Sequence, residues 1–385
     1  MSHWRSVQEA YPINERWVWL NNCGTTPPGR HIALAMHEYF ERCSRLGPGS
    51  DQYAPELVAR KIKASLSRLL GARPDEVALV HNTAEAITMV SLGMDLVSGD
   101  EILILENEYP SNVYPWEVWQ ERGVKLRFVP LADSEDGFID NFQRALGPHT
   151  RVAALSMVHW CTGLPLPMPE IAQLCHERDI RLVIDGSQGV GQVPIDVGRL
   201  GPCAVAFSAW KWLLGPLGLG VLVVSQQLLP LIKPVFKGPD GMADSQYLPY
   251  QSTFKPTADR FTYSTANYND WVYLAASLDW LEDIGFERVQ ARIQELTGQL
   301  WGGLREAGFR SAYDRTRSGS SGILAVDKPG VDCGRLAELL SERGILARER
   351  LGRLRLAPHV YISSDQIAGT VKAIAELTVD ILPQR

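Results

Sequence analysis

Two apolar runs that end in polar residues, Arg181-Leu-Val-Ile-Asp185 and Cys203-Ala-Val-Ala-Phe-Ser208, decide the fold of this chain. Each run is short and rich in aliphatic and β-branched residues, which is typical of a strand buried on both faces of a sheet. The first run continues into Gly-Ser-Gln188 and the second into Ala-Trp-Lys211. We therefore expect two interior strands with polar side chains directly beyond their carboxyl ends.

Similar runs predict a sheet of seven strands. The other five predicted strands are Val77–Val80, Glu101–Leu105, Lys125–Leu131, Arg151–Val158 and Gly220–Val224. Segments with helical spacing lie between most of the strands, namely Thr83–Leu96, Tyr114–Arg122 and Pro167–Arg178. This alternation predicts an α/β fold, with a mainly parallel sheet sandwiched by helices. Only a connector containing glycine and proline separates the last two strands, which allows that pair to be antiparallel.

The periodicity changes beyond residue 235 and predicts a smaller α+β C-terminal domain. Lys237 to Arg260 is expected to be an extended loop, and a long helix, Asp270–Ile284, follows and continues past Gly285. The elements expected after it are a helix Glu287–Ala307, strands near Ser320–Val326 and Arg353–Ala357, and helices Cys333–Arg343 and Ser364–Leu382. We predict an N-terminal segment (1–20), a large domain (21–268) and a small domain with its linking helix (269–385).

Composition and charge exclude several function classes. The formal net charge of −6 argues against a protein that neutralises nucleic acid. No apolar run approaches the roughly 18 residues that span a bilayer, and the N-terminus lacks a secretory pattern. The six cysteines show no metal-ligand spacing, so no metal is predicted and free thiols in a cytoplasmic protein are expected. A basic cluster is either a solvated face or an anion site; it comprises Arg343, Arg348, Arg350, Arg353 and Arg355.

The polar residues at the strand ends suggest a cofactor. In open α/β sheets, ligands bind beyond the carboxyl ends of the strands. Asp185 and Lys211 follow two strands, and Thr83-Ala84 opens a helix after a third. Singly, each has an ordinary alternative, because a strand-end Asp often caps a turn and a lone Lys is usually solvated. Together they supply what pyridoxal 5′-phosphate requires, which is an amine, a carboxylate for its ring nitrogen and donors for its phosphate.

The role of each residue follows from its expected environment. Desolvation at a strand end lowers the pKa of a lysine, so Lys211 would supply the neutral amine that forms a Schiff base with the cofactor. Asp185 would keep the pyridine nitrogen protonated. The backbone N–H groups of Thr83 and Ala84 would hold the phosphate at a helix N-terminus. We therefore predict a pyridoxal-phosphate enzyme that acts on an amino acid.

These residues also carry a resemblance to a known family. Val183-Ile-Asp-Gly-Ser-Gln-Gly, the run from Phe207 to Gly220 and the spacing of 26 residues between positions 185 and 211 are similar to class V aminotransferase-type enzymes. These are fold-type I pyridoxal-phosphate enzymes, and the chain most resembles group II cysteine desulfurases and isopenicillin N epimerases. The resemblance extends from Trp19-Leu-Asn-Asn22 to Leu354-Arg-Leu-Ala-Pro358.

The resemblance implies further site residues. Gln188 would hydrogen-bond the phenolic oxygen of the cofactor, Tyr109 would stack on its ring, and Ser208 would bind its phosphate. Thr265 matches a threonine that reaches the phosphate of the neighbouring subunit, which implies a homodimer with shared active sites. Arg355 would pair with the substrate α-carboxylate, and Asn22 would line the substrate side.

The chain departs from the desulfurase pattern at three places. Ser341 to Leu354 contains no cysteine to accept sulfur, and Cys333 lies at the start of a predicted helix, so we interpret it as structural. Trp210 stands before the lysine where the desulfurases usually have His, and His159 and Trp160 replace an Asn near the phenolic oxygen. The tryptophans, including Trp116 and Trp212, either pack in the core or shape a broad, partly apolar pocket.

The predicted reaction is β-elimination from an S-substituted cysteine, in natural-product tailoring. Lys211 would remove the Cα proton as general base while Arg355 holds the carboxylate. Epimerisation, transamination and decarboxylative or oxidative outcomes stay open on the same scaffold. Two other classes are a non-catalytic binding protein on this fold and a nucleotide-binding enzyme. The second is disfavoured because Gly186-x-x-Gly189-x-Gly191 does not have the dinucleotide-binding spacing.

Overall fold

A seven-stranded sheet forms the centre of the computed structural model, which describes residues 2–244, 248–250 and 253–381. The strand order is β2-β8-β7-β6-β5-β3-β4. Strands β3 to β7 pair in parallel, and β8 is antiparallel to both β2 and β7. The first eight strands are β1 (Val18–Trp19), β2 (Val77–Val80), β3 (Glu101–Leu105), β4 (Lys125–Val129), β5 (Thr150–Ser156), β6 (Arg181–Asp185), β7 (Cys203–Ser208) and β8 (Gly220–Val224). The predicted α/β class is confirmed.

Helices cover both faces of this sheet. Side chains alternate along each strand, so that Val205 and Phe207 of β7 enter one apolar core while Ala204 and Ala206 enter the other. The first seven helices are α1 (Ser2–Glu9), α2 (Arg30–Leu46), α3 (Pro55–Leu70), α4 (Thr83–Gly93), α5 (Tyr114–Glu117), α6 (Glu135–Ala145) and α7 (Met168–His176). This double burial explains why the strands are nearly continuous apolar runs rather than alternating ones.

Several predicted elements end earlier in the structure. β4 stops at Val129 because Pro130 has no N–H for the ladder. β5 stops at Ser156, whose N–H donates to the Glu108 side chain. α4 stops at Gly93, where the backbone of Lys233 approaches so closely that a Cβ would lie 2.5 Å from its carbonyl oxygen.

The C-terminal part forms a second, antiparallel sheet with the order β12-β13-β10-β9. Its strands, with the short β11, are β9 (Arg310–Ser311), β10 (Leu324–Asp327), β11 (Ile345–Leu346), β12 (Arg348–Arg350) and β13 (Arg353–Leu356). The remaining helices are α8 (Tyr268–Ile284), α9 (Phe286–Glu306), α10 (Cys333–Glu342) and α11 (Ser364–Ile381). Leu382, the predicted end of the last helix, lies outside the described residues, as do 245–247 and 251–252 of the predicted loop.

The N-terminal segment is joined to the C-terminal part rather than standing alone. β1 pairs in parallel with β11, and Asn21 forms a bridge with Ala357. Cys333 is buried at the first position of α10, and all six cysteines of the chain are unpaired. Among the helices of the described ranges, none is long and apolar enough to cross a membrane.

We expect Phe207→Ala to lower the melting temperature markedly, because this fully buried ring fills the core beneath the large sheet. Truncating a buried Phe destabilises a protein by about 3–5 kcal/mol. Phe128→Ala is the matched control, since that ring lies on β4 of the same sheet but is 53% exposed. Equal effects of the two substitutions on thermal unfolding would contradict the described core.

Candidate active site

The polar ends of β6 and β7 meet at one edge of the large sheet. The two strands pair in parallel, with Asp185 beside Ala206, so Asp185 and Ser208 end next to one another. Lys211 follows three residues after Ser208, and its charge interacts with that of Asp185. The structure therefore brings the predicted carboxylate and the predicted amine together.

Asp185 is a buried carboxylate with one oxygen committed to the protein. The N–H of Ser187 donates to Asp185 Oδ1 at 2.8 Å. Burial raises the pKa of Asp185, while Lys211 and the Ser187 hydrogen bond oppose that rise. A buried carboxylate at this strand end is suited to face a protonated ring nitrogen.

Lys211 lies in an environment that favours its neutral amine. Burial is the largest effect and lowers its pKa, and Arg355 lowers it further. Asp185 and Cys23 act in the opposite direction. The Nζ atom lies 5.6 Å from the ring centroid of Tyr109. A lysine with a lowered pKa supplies more of the unprotonated amine that attacks an aldehyde.

The side chain of Gln188 is held by two neighbours. Its Nε2 donates to the carbonyl oxygen of Cys23 at 2.8 Å, and Trp212 Nε1 donates to its Oε1 at 3.1 Å. One Nε2 hydrogen remains for another acceptor, such as a phenolic oxygen. Trp212 and Trp116 are both buried in the core, so packing accounts for these two tryptophans and they do not widen the pocket.

A set of donors suited to a phosphate lies at the start of α4. Asn82 caps the helix by accepting from the N–H of Glu85, which leaves the first N–H groups, those of Thr83 and Ala84, without an intrahelical partner. Ser208 Oγ is buried and has no hydrogen-bond partner among the described residues. An unsatisfied buried hydroxyl is unfavourable in a folded protein. The residues present therefore fit pyridoxal 5′-phosphate, which would satisfy this hydroxyl.

Arg355, Trp160 and Tyr109 form one wall of the site. Arg355 Nη1 donates to the carbonyl oxygen of Trp160 at 2.8 Å, and its buried Nε has no partner. The Trp160 indole donates to the carbonyl oxygen of Asn107 at 2.8 Å and packs edge-on against Tyr109, with ring centroids 5.6 Å apart. Trp160 thus lies at the site surface, where it can contact a substrate.

His159 lies behind this wall. Its Nδ1 pairs with Thr162 Oγ1 at 2.9 Å and its Nε2 with the carbonyl oxygen of Asn107 at 3.1 Å. Burial lowers the pKa of His159 to about 4, so the ring is neutral at physiological pH. Both ring nitrogens are engaged by the protein, and we infer that His159 supports the loop carrying Trp160.

Among the described residues, three other candidates form no side-chain hydrogen bond with Asp185 or Lys211. Asn22 donates to the carbonyl oxygens of Trp19 and Ala357, and accepts from the Tyr361 hydroxyl. Thr265 is exposed. Trp210 is partly exposed, and its carbonyl oxygen accepts from Thr26. Their roles toward cofactor and substrate stay predictions.

Glu108 is a residue that sequence reasoning missed. Its buried carboxylate accepts from the N–H and Oγ of Ser156, at 2.8 and 2.5 Å, from the N–H of Tyr109 at 2.7 Å, and from Asn112 Nδ2 at 3.3 Å. Ser156 pairs with Asp185 across the sheet. Burial, and then the charge of Asp185, raises the pKa of Glu108 to about 7. The sequence did offer one indication of its importance, because Glu108 directly precedes Tyr109, a predicted site residue.

We expect Glu108→Gln to change how stability depends on pH. Because the pKa of Glu108 is raised on folding, its ionisation makes wild type progressively less stable between pH 4.5 and about 7. The glutamine variant is destabilised by lost hydrogen bonds but lacks this titration. The difference in melting temperature between wild type and this variant should therefore become smaller as the pH rises from about 5 to 8. Exposed Glu121→Gln is the control, and a constant or widening deficit for Glu108→Gln would contradict the raised pKa.

Comparison with known proteins identifies the family of this chain. The family model described as aminotransferase class-V matches residues 18–371. A probable cysteine desulfurase of Pyrococcus abyssi is 25% identical, with 96% of each chain covered. A cysteine desulfurase of Synechococcus elongatus is 31% identical over 72% of this chain, which corresponds to 45% of the relative.

A solved structure of a cystine C–S lyase in complex with its reaction product, cysteine persulfide, has the same fold. It aligns with a TM-score of 0.88 at 22% identity, covering 97% of this chain and 100% of the other. The family match and the convergence of Asp185, Ser208 and Lys211 lead to the same conclusion. This chain belongs to the class V aminotransferase family of pyridoxal 5′-phosphate enzymes, within which it is cysteine desulfurase-like.

Proposed function

We propose that this enzyme is a C–S β-lyase that cleaves S-substituted cysteines and tailors natural products. One observation carries the proposal: the segment before Arg355 that would present a sulfur-accepting thiol, residues 341–354, holds no cysteine. The structure folds this segment into β11, β12 and the start of β13. This segment therefore lacks the cysteine thiol that would accept sulfur in a desulfurase. Elimination requires no such thiol.

The chain's own residues would divide the work as follows. Arg355 would pair with the substrate α-carboxylate through its planar guanidinium group. Lys211 would remove the Cα proton as general base, and the C–S electron pair would leave with the sulfur. Asp185 would hold a proton at the ring nitrogen of the cofactor. When bound, pyridoxal phosphate supplies the electron sink for the reaction.

The wall of the site supports a substrate larger than cysteine. Tyr109 is 43% exposed, and both Lys211 Nζ and the ring centroid of Trp160 lie 5.6 Å from its ring centroid. Aromatic rings offer a large contact area to an apolar substituent. We propose that the S-substituent lies along Tyr109 and Trp160, with Asn22 on the substrate side and Trp210 beside the cofactor.

We also propose a cytoplasmic homodimer in which Thr265 of one subunit reaches the phosphate of the other. Thr265 is exposed and lies between a short 3-10 helix, Ala258–Phe261, and the start of α8. In this role the Thr265 hydroxyl would bind the phosphate in the active site of a second chain.

Mixing subunits that carry Lys211→Ala with subunits that carry Thr265→Val should restore activity, because one of the two shared sites in the mixed dimer is intact.

Incubation of the holoenzyme with a panel of S-alkyl cysteines should release pyruvate and free thiol in equal amounts. Lys211→Ala should abolish both products and the visible absorbance of the lysine-bound cofactor. Racemised amino acid, or a new amino acid formed from an added keto acid, without pyruvate from any member of the panel would overturn the lyase proposal.

Desulfuration of cysteine is the second candidate function, favoured by the position of Cys23. Its side chain lies within electrostatic range of Lys211, and its carbonyl oxygen accepts from Gln188 Nε2. If Cys23 accepted sulfur, the products would be alanine and a Cys23 persulfide. For a lyase we expect Cys23→Ala to keep forming pyruvate and thiol. Alanine formation by wild type that Cys23→Ala abolishes would favour the desulfurase instead.

A further inference from the structure

Four arginines share one face of the second sheet, and we name them the arginine face: Arg348, Arg350, Arg353 and Arg355. β12 and β13 pair so that Arg348 stands opposite Arg355 and Arg350 opposite Arg353. Residues opposite one another, and residues two apart along a strand, point to the same side. Like charges directly opposite destabilise an antiparallel pair. The stability of the hairpin therefore does not explain this arrangement.

The arginine face has no carboxylate partner within the described residues. Neighbouring arginines do have one, since Arg335 pairs with Glu338 and Arg343 with Glu376. Glu338, Glu342 and Glu349 line an open groove with the outer two members of the face, but none of the three is ion paired to them in the part of the chain that the structure describes. Four unpaired guanidinium groups side by side are a site for an anion that comes from outside the chain.

The inner pair of the arginine face lies on β13, and one member, Arg355, contacts the active-site wall. Arg355 is 4% exposed and contacts Trp160, as described above. Arg353 is partly buried, and its buried Nε atom, like that of Arg355, has no hydrogen-bond partner. Arg353 and Arg355 are two residues apart on a strand, which places their Cα atoms roughly 7 Å from each other. The two guanidinium groups can therefore engage two carboxylates of one small molecule.

A cavity of about 270 Å³ lies at Arg353 and adjoins the wall of the active site. Asn107 lines it and accepts the Trp160 indole hydrogen bond. Cys161 lines it too; burial, and to a smaller extent Glu349, raises the pKa of this thiol, and Arg355, Arg353 and Arg350 oppose the rise. Three arginines and one carboxylate therefore act on a side chain of this cavity. Asp133 also lines it but is exposed and forms no ion pair with Arg353 among the described residues.

We propose that Arg353 and this cavity bind a second carboxylate, carried at the far end of the substrate's S-substituent. The inference rests on the proposed function and adds the substrate class: S-substituted cysteines with two anionic ends. Arg355 would hold the α-carboxylate and Arg353 the distal one, each through the bidentate geometry that guanidinium and carboxylate share. Tyr109 and Trp160 would pack against the connecting atoms.

The test measures binding with a ligand that has no leaving group. 2-Aminopimelate has the length of S-(2-carboxyethyl)cysteine, with methylene in place of sulfur, and its ω-amide is the uncharged match. Titration of the holoenzyme, followed by cofactor absorbance and by calorimetry, should show the diacid binding roughly 10- to 100-fold more tightly than the amide. Arg353→Gln should bring that ratio close to one, and Arg353→Lys should keep part of it.

Arg335→Gln is the matched control, because Arg335 lies in the same part of the chain but is paired with Glu338. It should leave the ratio unchanged. Equal affinity of wild type for diacid and amide would overturn the inference, and so would a ratio that Arg353→Gln preserves. The measured quantity is the ratio of the affinities of one variant for the two ligands. A general loss of stability would weaken both affinities and would not by itself change this ratio.

Failure of the proposed function gives a different outcome. If the enzyme prefers the diacid but forms no pyruvate from S-(2-carboxyethyl)cysteine, the anion subsite stands and β-elimination fails. If pyruvate forms equally well from S-(2-carboxyethyl)cysteine and its amide, elimination stands and the Arg353 subsite is overturned.

Discussion

The interaction on which the rest of this site depends is the attraction between Asp185 and Lys211. Burial disfavours the charge of each group, and each partly offsets that effect in the other. Their positions follow from the pairing of β6 with β7, which places the two strand ends side by side. A one-residue shift of either strand in that register would turn the side chains of that strand to the opposite face. The chemistry therefore depends on the packing of two short apolar strands.

The surroundings hold this pair in place through contacts that are distant in sequence. Glu108 connects the backbone of Tyr109 with that of Ser156, which pairs with Asp185. On the substrate side, Arg355 contacts Trp160 across 195 positions. The pairing of Val18 with Ile345 ties the N-terminal segment to the same region. The half of the site proposed to bind the cofactor comes from one sheet, whereas the half proposed to bind substrate lies between sheets.

This division explains how much could be predicted from sequence. Asp185, Ser208 and Lys211 follow apolar strands, so the rule that ligands bind beyond strand ends locates them without tertiary information. Glu108 was missed because its partners belong to β5 and to the turn around Asn112. β12 was missed because Arg348-Glu-Arg350 has no apolar residue, and without that strand the alignment of the arginine face could not be predicted. The structure assigns Trp212 to the core and Trp160 to the site surface, a choice that sequence left open.

The central claim, that Lys211 anchors the cofactor, can be tested by chemical reduction. Borohydride reduces a lysine–pyridoxal linkage to a stable amine, and peptide mass spectrometry then locates the added mass. The structure predicts a single modified peptide in which Lys211 carries the pyridoxyl group. The account would be contradicted if the label were on another lysine, or absent from a preparation that contains stoichiometric cofactor.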